Sequence, residues 1–248
     1  MPSLGLSTAK GGGLTSSYEK DGLKLYMPYN SPKEVKFVGE GSTAFDGTGD
    51  YVTITDHADF SALNSGFSLA CWVKVPDSSG TDMMFLKAND ANTAGDGDNE
   101  WFFYLSSGKP LFQVMDDSAS SEVGRYYNTA LTVEKWYHLV AVYDGTAADN
   151  EESSCKIYVN GVQADDTNTE TNGSDFVAIE DTSTAVTIGA HPAGGSAFKG
   201  SMKNAAIWNR ILSPTEIQNI MHKTYTDLSG TLLSGLISWW ALESDYLD

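Results

Sequence analysis

Residues 98 to 107 read DNEWFFYLSS and hold groups that could grip a ligand. A sugar offers apolar ring faces and many hydroxyls, so a site for one sets an aromatic platform beside carboxylates and amides. Asn99, Glu100, Trp101 and Tyr104 supply that combination and are the candidate ligand-binding residues, with Phe103 beside them. A strand through this stretch sends successive side chains to opposite faces. At least half of these aromatics therefore belong to a core, and for any one of them taken singly the core is the stronger expectation.

Other chemistry fares less well. The loop NDANTAGDGDNEW at 89 to 101 invites a calcium reading, and with Asp90 first, Asn92 and Gly95 fit an EF-hand loop. Position 5 is Ala94 and position 12 is Trp101 in place of a bidentate Glu, so that match fails. An oxygen site of another kind, using Asp96, Asp98 or Glu100, stays open beside the plainer reading of an exposed rim loop. His57, His138, His191 and His222 are scattered without ligand spacing. His138, inside KWYHLVAVY, reads as a packed strand residue. No Ser/His/Asp or Cys/His arrangement and no phosphate-binding glycine loop can be argued. Cys71 and Cys155, 84 residues apart, form no metal motif; two buried thiols are favoured over a disulfide.

Whole-chain composition narrows the partners. With 33 acidic against 15 basic residues the formal charge is −18, which repels phosphate backbones and argues against nucleic acid. The same surface stays soluble in salt and could attract divalent cations. No apolar run approaches the ~18 residues of a membrane span, and the N-terminal stretch lacks the charged-then-apolar order of a secretory signal.

These groups must be positioned by strands. Gly, Asp, Asn, Ser and Thr punctuate the chain, and helix-forming runs are few. Residues 1 to 21 read as a glycine-rich arm. From Leu23 onward strand signals follow one another: GLKLYMPYN, STAFDGTGDYVTITD, FSLACWVKVP, MMFLK, EWFFYLSS, PLFQVMD, KWYHLVAVYDG, CKIYVNGV, AVTIGAH and GSMKNAAIWNRIL. Their spacing predicts an antiparallel sandwich over residues 22 to 230 and not βαβ units. VNGV at 159 to 162 predicts a hairpin turn, and YDGT at 143 to 146 carries the same chemistry. One helix is signalled over 214 to 223: Ser213 caps it, Pro214 opens it, Glu216 completes a capping box, and Ile217, Ile220 and Met221 face the sandwich. Residues 231 to 248 contain the apolar run LISWWAL, readable either as the first strand of a second module or as the last strand of this one. The first reading is preferred.

In this order, FDGTGDYVTI, FSLACWVKV, KWYHLVAVYDGT, KIYVNGV and VTIGAHPAGGSAFKGSMKNAAIWNRILSPTEI resemble the laminin-G-like modules of the concanavalin A-like lectin/glucanase superfamily. The resemblance spans residues 45 to 217 and implies an all-β jelly roll of two curved antiparallel sheets. Glucanases on that fold use Glu-x-Asp-x-x-Glu on one strand, with two carboxyls about 5 Å apart in a retaining mechanism. The nearest match is Glu243, Asp245 and Asp248, whose last member is Asp at the end of the sequence. No hydrolase is expected. Many laminin-G-like modules bind one calcium ion. Asp46 and Asp50 are the metal positions the resemblance implies, although Lys203 stands where such modules often carry an Asp. The opening MPSLGLSTAKGGGLTSS, with GLKLYMPYN and AFDGTGDYV, resembles proteins of marine phages. That implies a non-enzymatic structural protein of a virion exterior, with other virion proteins and host surface glycans as partners, in a homo-oligomer or larger assembly. The alternative is a carbohydrate-binding module of a secreted or cell-surface bacterial protein.

Overall fold

Short runs of β-branched and aromatic residues between Gly, Asp and Asn turns favour pairing of neighbours side by side, and the computed structural model contains two antiparallel sheets. It describes residues 41–61, 63–89, 98–146, 152–171, 173–192 and 195–243, all within the unit Val35–Asp248. The expected arm at 1–21, the expected strand at 23–30, most of the loop 89–101 with Asp90 and Asp96, and Asp245 and Asp248 lie outside the described residues.

In chain order the first strands are β1 (Thr43–Asp46), β2 (Val52–Ile54), β3 (Phe67–Lys74), β4 (Thr81–Lys87), β5 (Trp101–Ser106), β6 (Lys109–Asp116) and β7 (Ser121–Tyr126). They are followed by β8 (Tyr137–Tyr143), β9 (Cys155–Val159), β10 (Val162–Gln163), β11 (Asp166–Thr171), β12 (Val186–Ile188), β13 (Lys199–Trp208) and β14 (Leu236–Trp240). Two short helices, α1 (Ala58–Ser61) and α2 (Pro214–Ile220), accompany them. Sheet A runs β1-β13-β3-β8-β9-β10, and sheet B runs β11-β7-β6-β5-β4-β12-β2. Late strands are threaded between early ones: β13 lies between β1 and β3, and β12 between β2 and β4.

The run LISWW is a strand of this sandwich. β14 pairs with β13 over Ala205–Trp208, while β1 pairs with β13 over Lys199–Met202, so the two short strands lie end to end along one edge. The edge of β13 beyond β1 is where the apolar residues of this run find partners.

Inward residues of both sheets form the main core, with Phe67 against Trp101 (5.6 Å between centroids), Phe112 (5.8 Å) and Tyr143 (5.8 Å). A second cluster on the outer face of sheet A joins Ala70, Val140, Tyr158 and Trp208 to Ile217 and Ile220 of α2 and to Leu228 and Leu232. The capping box of α2 is formed as expected, and Ile217, Ile220 and Met221 are buried, though the helix stops at Ile220. At the β9–β10 turn Asn160 (φ 51°) and Gly161 (φ 78°) both adopt positive φ, the condition for a tight two-residue hairpin. YDGT differs. Asp144 Oδ1 accepts the backbone N–H (3.1 Å) and hydroxyl (2.7 Å) of Thr146, and the Asp144 N–H donates to Ser154 O (2.8 Å), closing a longer connection. β7 (SEVGRY) and β11 (DTNTET) were not anticipated, because neither carries an apolar alternation long enough to mark it.

Candidate functional site

At one end of sheet B three segments converge: residues 98–100 before β5, the β6–β7 turn, and residues 173–185 before β12. Asp116 at the end of β6 organises them. Its Oδ1 accepts from the Ser118 hydroxyl (3.0 Å) and the Ala119 N–H (3.1 Å). Its Oδ2 accepts from the N–H groups of Val177 (2.9 Å) and Ala178 (3.3 Å). Burial raises the Asp116 carboxyl, but these donors outweigh it and hold the group below the usual carboxylate range. Glu180 Oε1 accepts the Ser118 N–H (3.0 Å), and Asp117 Oδ2 accepts the Asp98 N–H (2.6 Å).

Between the turn and the 176–180 segment lies an open cleft of about 420 Å³, lined by Asp116, Ser118, Ala119, Val177, Ala178 and Glu180. Val177 is 68% exposed and gives the cleft an apolar surface. Around it the half-buried Glu180 spends Oε1 on the Ser118 N–H and has no hydrogen bond to Oε2 among the described residues, and the Ser118 hydroxyl, donating to Asp116, can still accept. A small apolar surface ringed by hydroxyl and carboxylate groups can take a polyol. No side chain with nucleophile-and-base geometry is aimed into the cleft among the described residues.

A second knot lies beside it. Lys87, wholly buried at the end of β4, donates to Glu100 Oε1 and to Thr182 O (2.7 Å) and pairs with Asp56 Oδ1 (3.2 Å). Glu100 Oε1 also accepts the N–H and hydroxyl of Thr182, both at 2.8 Å. Burial pushes the Glu100 carboxyl up, against the opposing pull of Lys87 and Thr182.

The structure places the residues singled out from sequence differently from a surface platform. Trp101 is wholly buried against Phe67 in the inter-sheet core, so its face is covered and offers nothing to a sugar. Asn99 is buried and Glu100 is engaged by Lys87 and Thr182. Phe103 packs edge-on against Phe112. Tyr104, on the outer face of sheet B, donates to Gln113 Oε1 (2.8 Å), whose amide donates to Glu122 Oε1 (3.0 Å), and burial raises its phenol. The cleft residues Asp116, Ser118, Val177 and Glu180 were missed. Turn composition in DDSASS was the available signal for one wall, whereas FVAIE carries none.

Asp46 and Asp50 sit on the β1–β2 turn. The Asp46 N–H donates to Asp50 Oδ2 (2.9 Å) and the Thr48 N–H to Asp46 Oδ1, so each carboxylate spends one oxygen on the turn. Among the described residues no three His, Cys, Asp or Glu groups converge on a metal position. Lys203 is buried, with Nζ donating to Gly41 O (3.1 Å). Cys71 and Cys155 are free and buried, and desolvation pushes both thiols up. No helix among the described residues is long and apolar enough to cross a membrane.

Two antiparallel sheets face to face, with polar clusters gathered on a loop rim, define a lectin-like jelly roll. Residues 46–218 match the laminin-G-type family model, and the chain belongs to the concanavalin A-like lectin/glucanases superfamily. Solved structures agree on the fold. A proposed carbohydrate binding protein from Bacteroides ovatus aligns at 12% identity and TM-score 0.56, over 82% of this chain and 51% of its own. This chain thus spans about half of that protein's length. The heptameric SAP-like pentraxin of Limulus polyphemus aligns at 16% identity and TM-score 0.52, over 85% of this chain and 94% of its own. The receptor binding domain of the botulinum neurotoxin C/D mosaic serotype aligns at 13% identity and TM-score 0.51, over 71% and 41%. No curated protein matches the sequence.

Proposed function

We propose that this chain is a non-enzymatic, lectin-like module on the exterior of a virion, and that its rim cleft contacts surface glycans of the host. The observation that carries the glycan reading is the cleft between Ser118 and Glu180, whose walls are tied together through the Asp116 carboxylate and which is lined by the exposed Ser118 and Val177 and the half-buried Glu180. Preformed polar groups of this kind bind a polyol without a large ordering cost. The carbohydrate-binding description of the Bacteroides protein supports the same reading through a shared fold.

The virion assignment rests on the resemblance of the opening segments to marine phage proteins and on the charge of −18, which suits a surface kept away from packaged nucleic acid. Partners on this reading are other virion proteins, in a homo-oligomer or larger assembly. Calcium, if bound, is held by the carboxylate oxygens of Asp46 and Asp50, where it would add rigidity to the β1–β2 turn. The second reading, a carbohydrate-binding module of a secreted or cell-surface bacterial protein, is favoured by the same Bacteroides likeness.

Glycan-array binding of the full chain tests the site. Glu180→Ala is expected to weaken the best ligand about tenfold, the loss of one good polar contact; unchanged binding would remove the cleft from the proposal. Mass spectrometry of density-purified particles tests the setting. Peptides of this chain in particles are expected, and their confinement to a bacterial surface fraction would establish the second reading.

A further inference from the structure

We infer that Lys87 is a built-in cation that sets the rim in the place where a bound divalent ion would otherwise be needed. Three separate pieces of chain bring oxygen to its ammonium. Asp56 follows β2, Glu100 precedes β5, and Thr182 contributes its carbonyl from the segment leading to β12. Two carboxylates and a carbonyl around one positive centre form the hard oxygen set that calcium or magnesium takes. The Lys87 side chain is 0% exposed and Asp56 is 24% exposed, so the knot is dry at the lysine and reaches water on the Asp56 side.

The charges explain why removal should be informative. A buried ammonium is costly unless it is paired, and so is a buried carboxylate left facing another carboxylate. With Lys87 present the knot holds one positive and two negative groups. Without it, two carboxylates face each other across a space that a doubly charged ion would neutralise. The knot also bears on the cleft, because Thr182 lies two residues beyond Glu180. Fixing Thr182 through its carbonyl, N–H and hydroxyl fixes the end of that wall. Lys87 is therefore a positioning residue for the rim, and the inference holds whichever glycan the cleft accepts.

The test is thermal melting of the full chain in chelator and in added calcium, carried out on an Asp46→Asn/Asp50→Asn background so that neither carboxylate of the β1–β2 turn is left to bind the ion. With Lys87 intact, the melting temperature is expected to be the same in both. Lys87→Ala is expected to melt several degrees lower in chelator and to regain much of the loss in calcium, by linkage to an ion that binds only the folded form. Adding Glu100→Gln to Lys87→Ala should abolish that gain. An equal response to calcium with and without Lys87 would overturn the inference. Should Lys87→Ala fold in neither condition, the neutral pair Lys87→Met/Glu100→Gln decides. A folded protein that calcium does not stabilise upholds the proposal, and one that calcium stabilises, or that fails to fold, defeats it.

Discussion

His138 occupies a position hostile to charge. It is 3% exposed on the outer face of sheet A, its ring 5.3 Å from that of Trp72, and its Nδ1 has no hydrogen-bond partner among the described residues. Burial, with His222 nearby, pushes its pKa down to about 3. The folded state then binds fewer protons than the unfolded state, whose histidine titrates near ~6.5. Its contribution to stability is complete above that pH and is lost as pH falls towards about 3, at about 1.4 kcal/mol per unit. Urea unfolding at pH 7 and pH 4.5 should show a larger loss of stability in the wild type than in His138→Gln. Equal losses would mean that other groups govern the acid limb. The burial of His138 was legible because KWYHLVAVY is a strand on its face. The role of Glu100 was not, because its partners lie 13 and 82 residues away and no local pattern announces them.

Among elements, α2 shows what local sequence can specify. Ser213, Pro214 and Glu216 act over one turn, so the helix start is written where it forms. Its value to the fold comes from Ile217, wholly buried against the outer face of sheet A. Ser213→Ala should cost ~1 kcal/mol as a lost cap, and Ile217→Ala ~2–5 kcal/mol as a cavity. Denaturant midpoints of the two variants compare the terms, and a cap variant that loses more than the core variant would contradict this ranking. β14 marks the opposite limit. Its apolar alternation revealed a strand, but its lane depends on the free edge of β13 beyond β1, which is a property of the assembled sheet. The cleft was hidden for a related reason: its walls come from residues 116–119 and 177–180, joined by contacts such as that of Asp116, which reaches across 61 residues to Val177.

For the molecule as a whole, the superfamily includes glucanases, and the nearest carboxylate pattern in this chain centres on Glu243. Reducing-sugar assays on laminarin-type and agar-type polysaccharides are expected to show no turnover; activity lost in Glu243→Gln would refute a purely binding role. The threading of late strands between early ones has a further consequence, for the chain while it is being synthesised. β3 and β4 emerge from the ribosome long before β13 and β12, the strands that will lie against them. At ~5–20 residues per second the nascent chain carries those open edges for on the order of ten seconds. During that interval β3, one of the most apolar strands, is available to any neighbouring polypeptide. Crowded polysomes, rather than the finished protein, are where misassembly of this sandwich would begin.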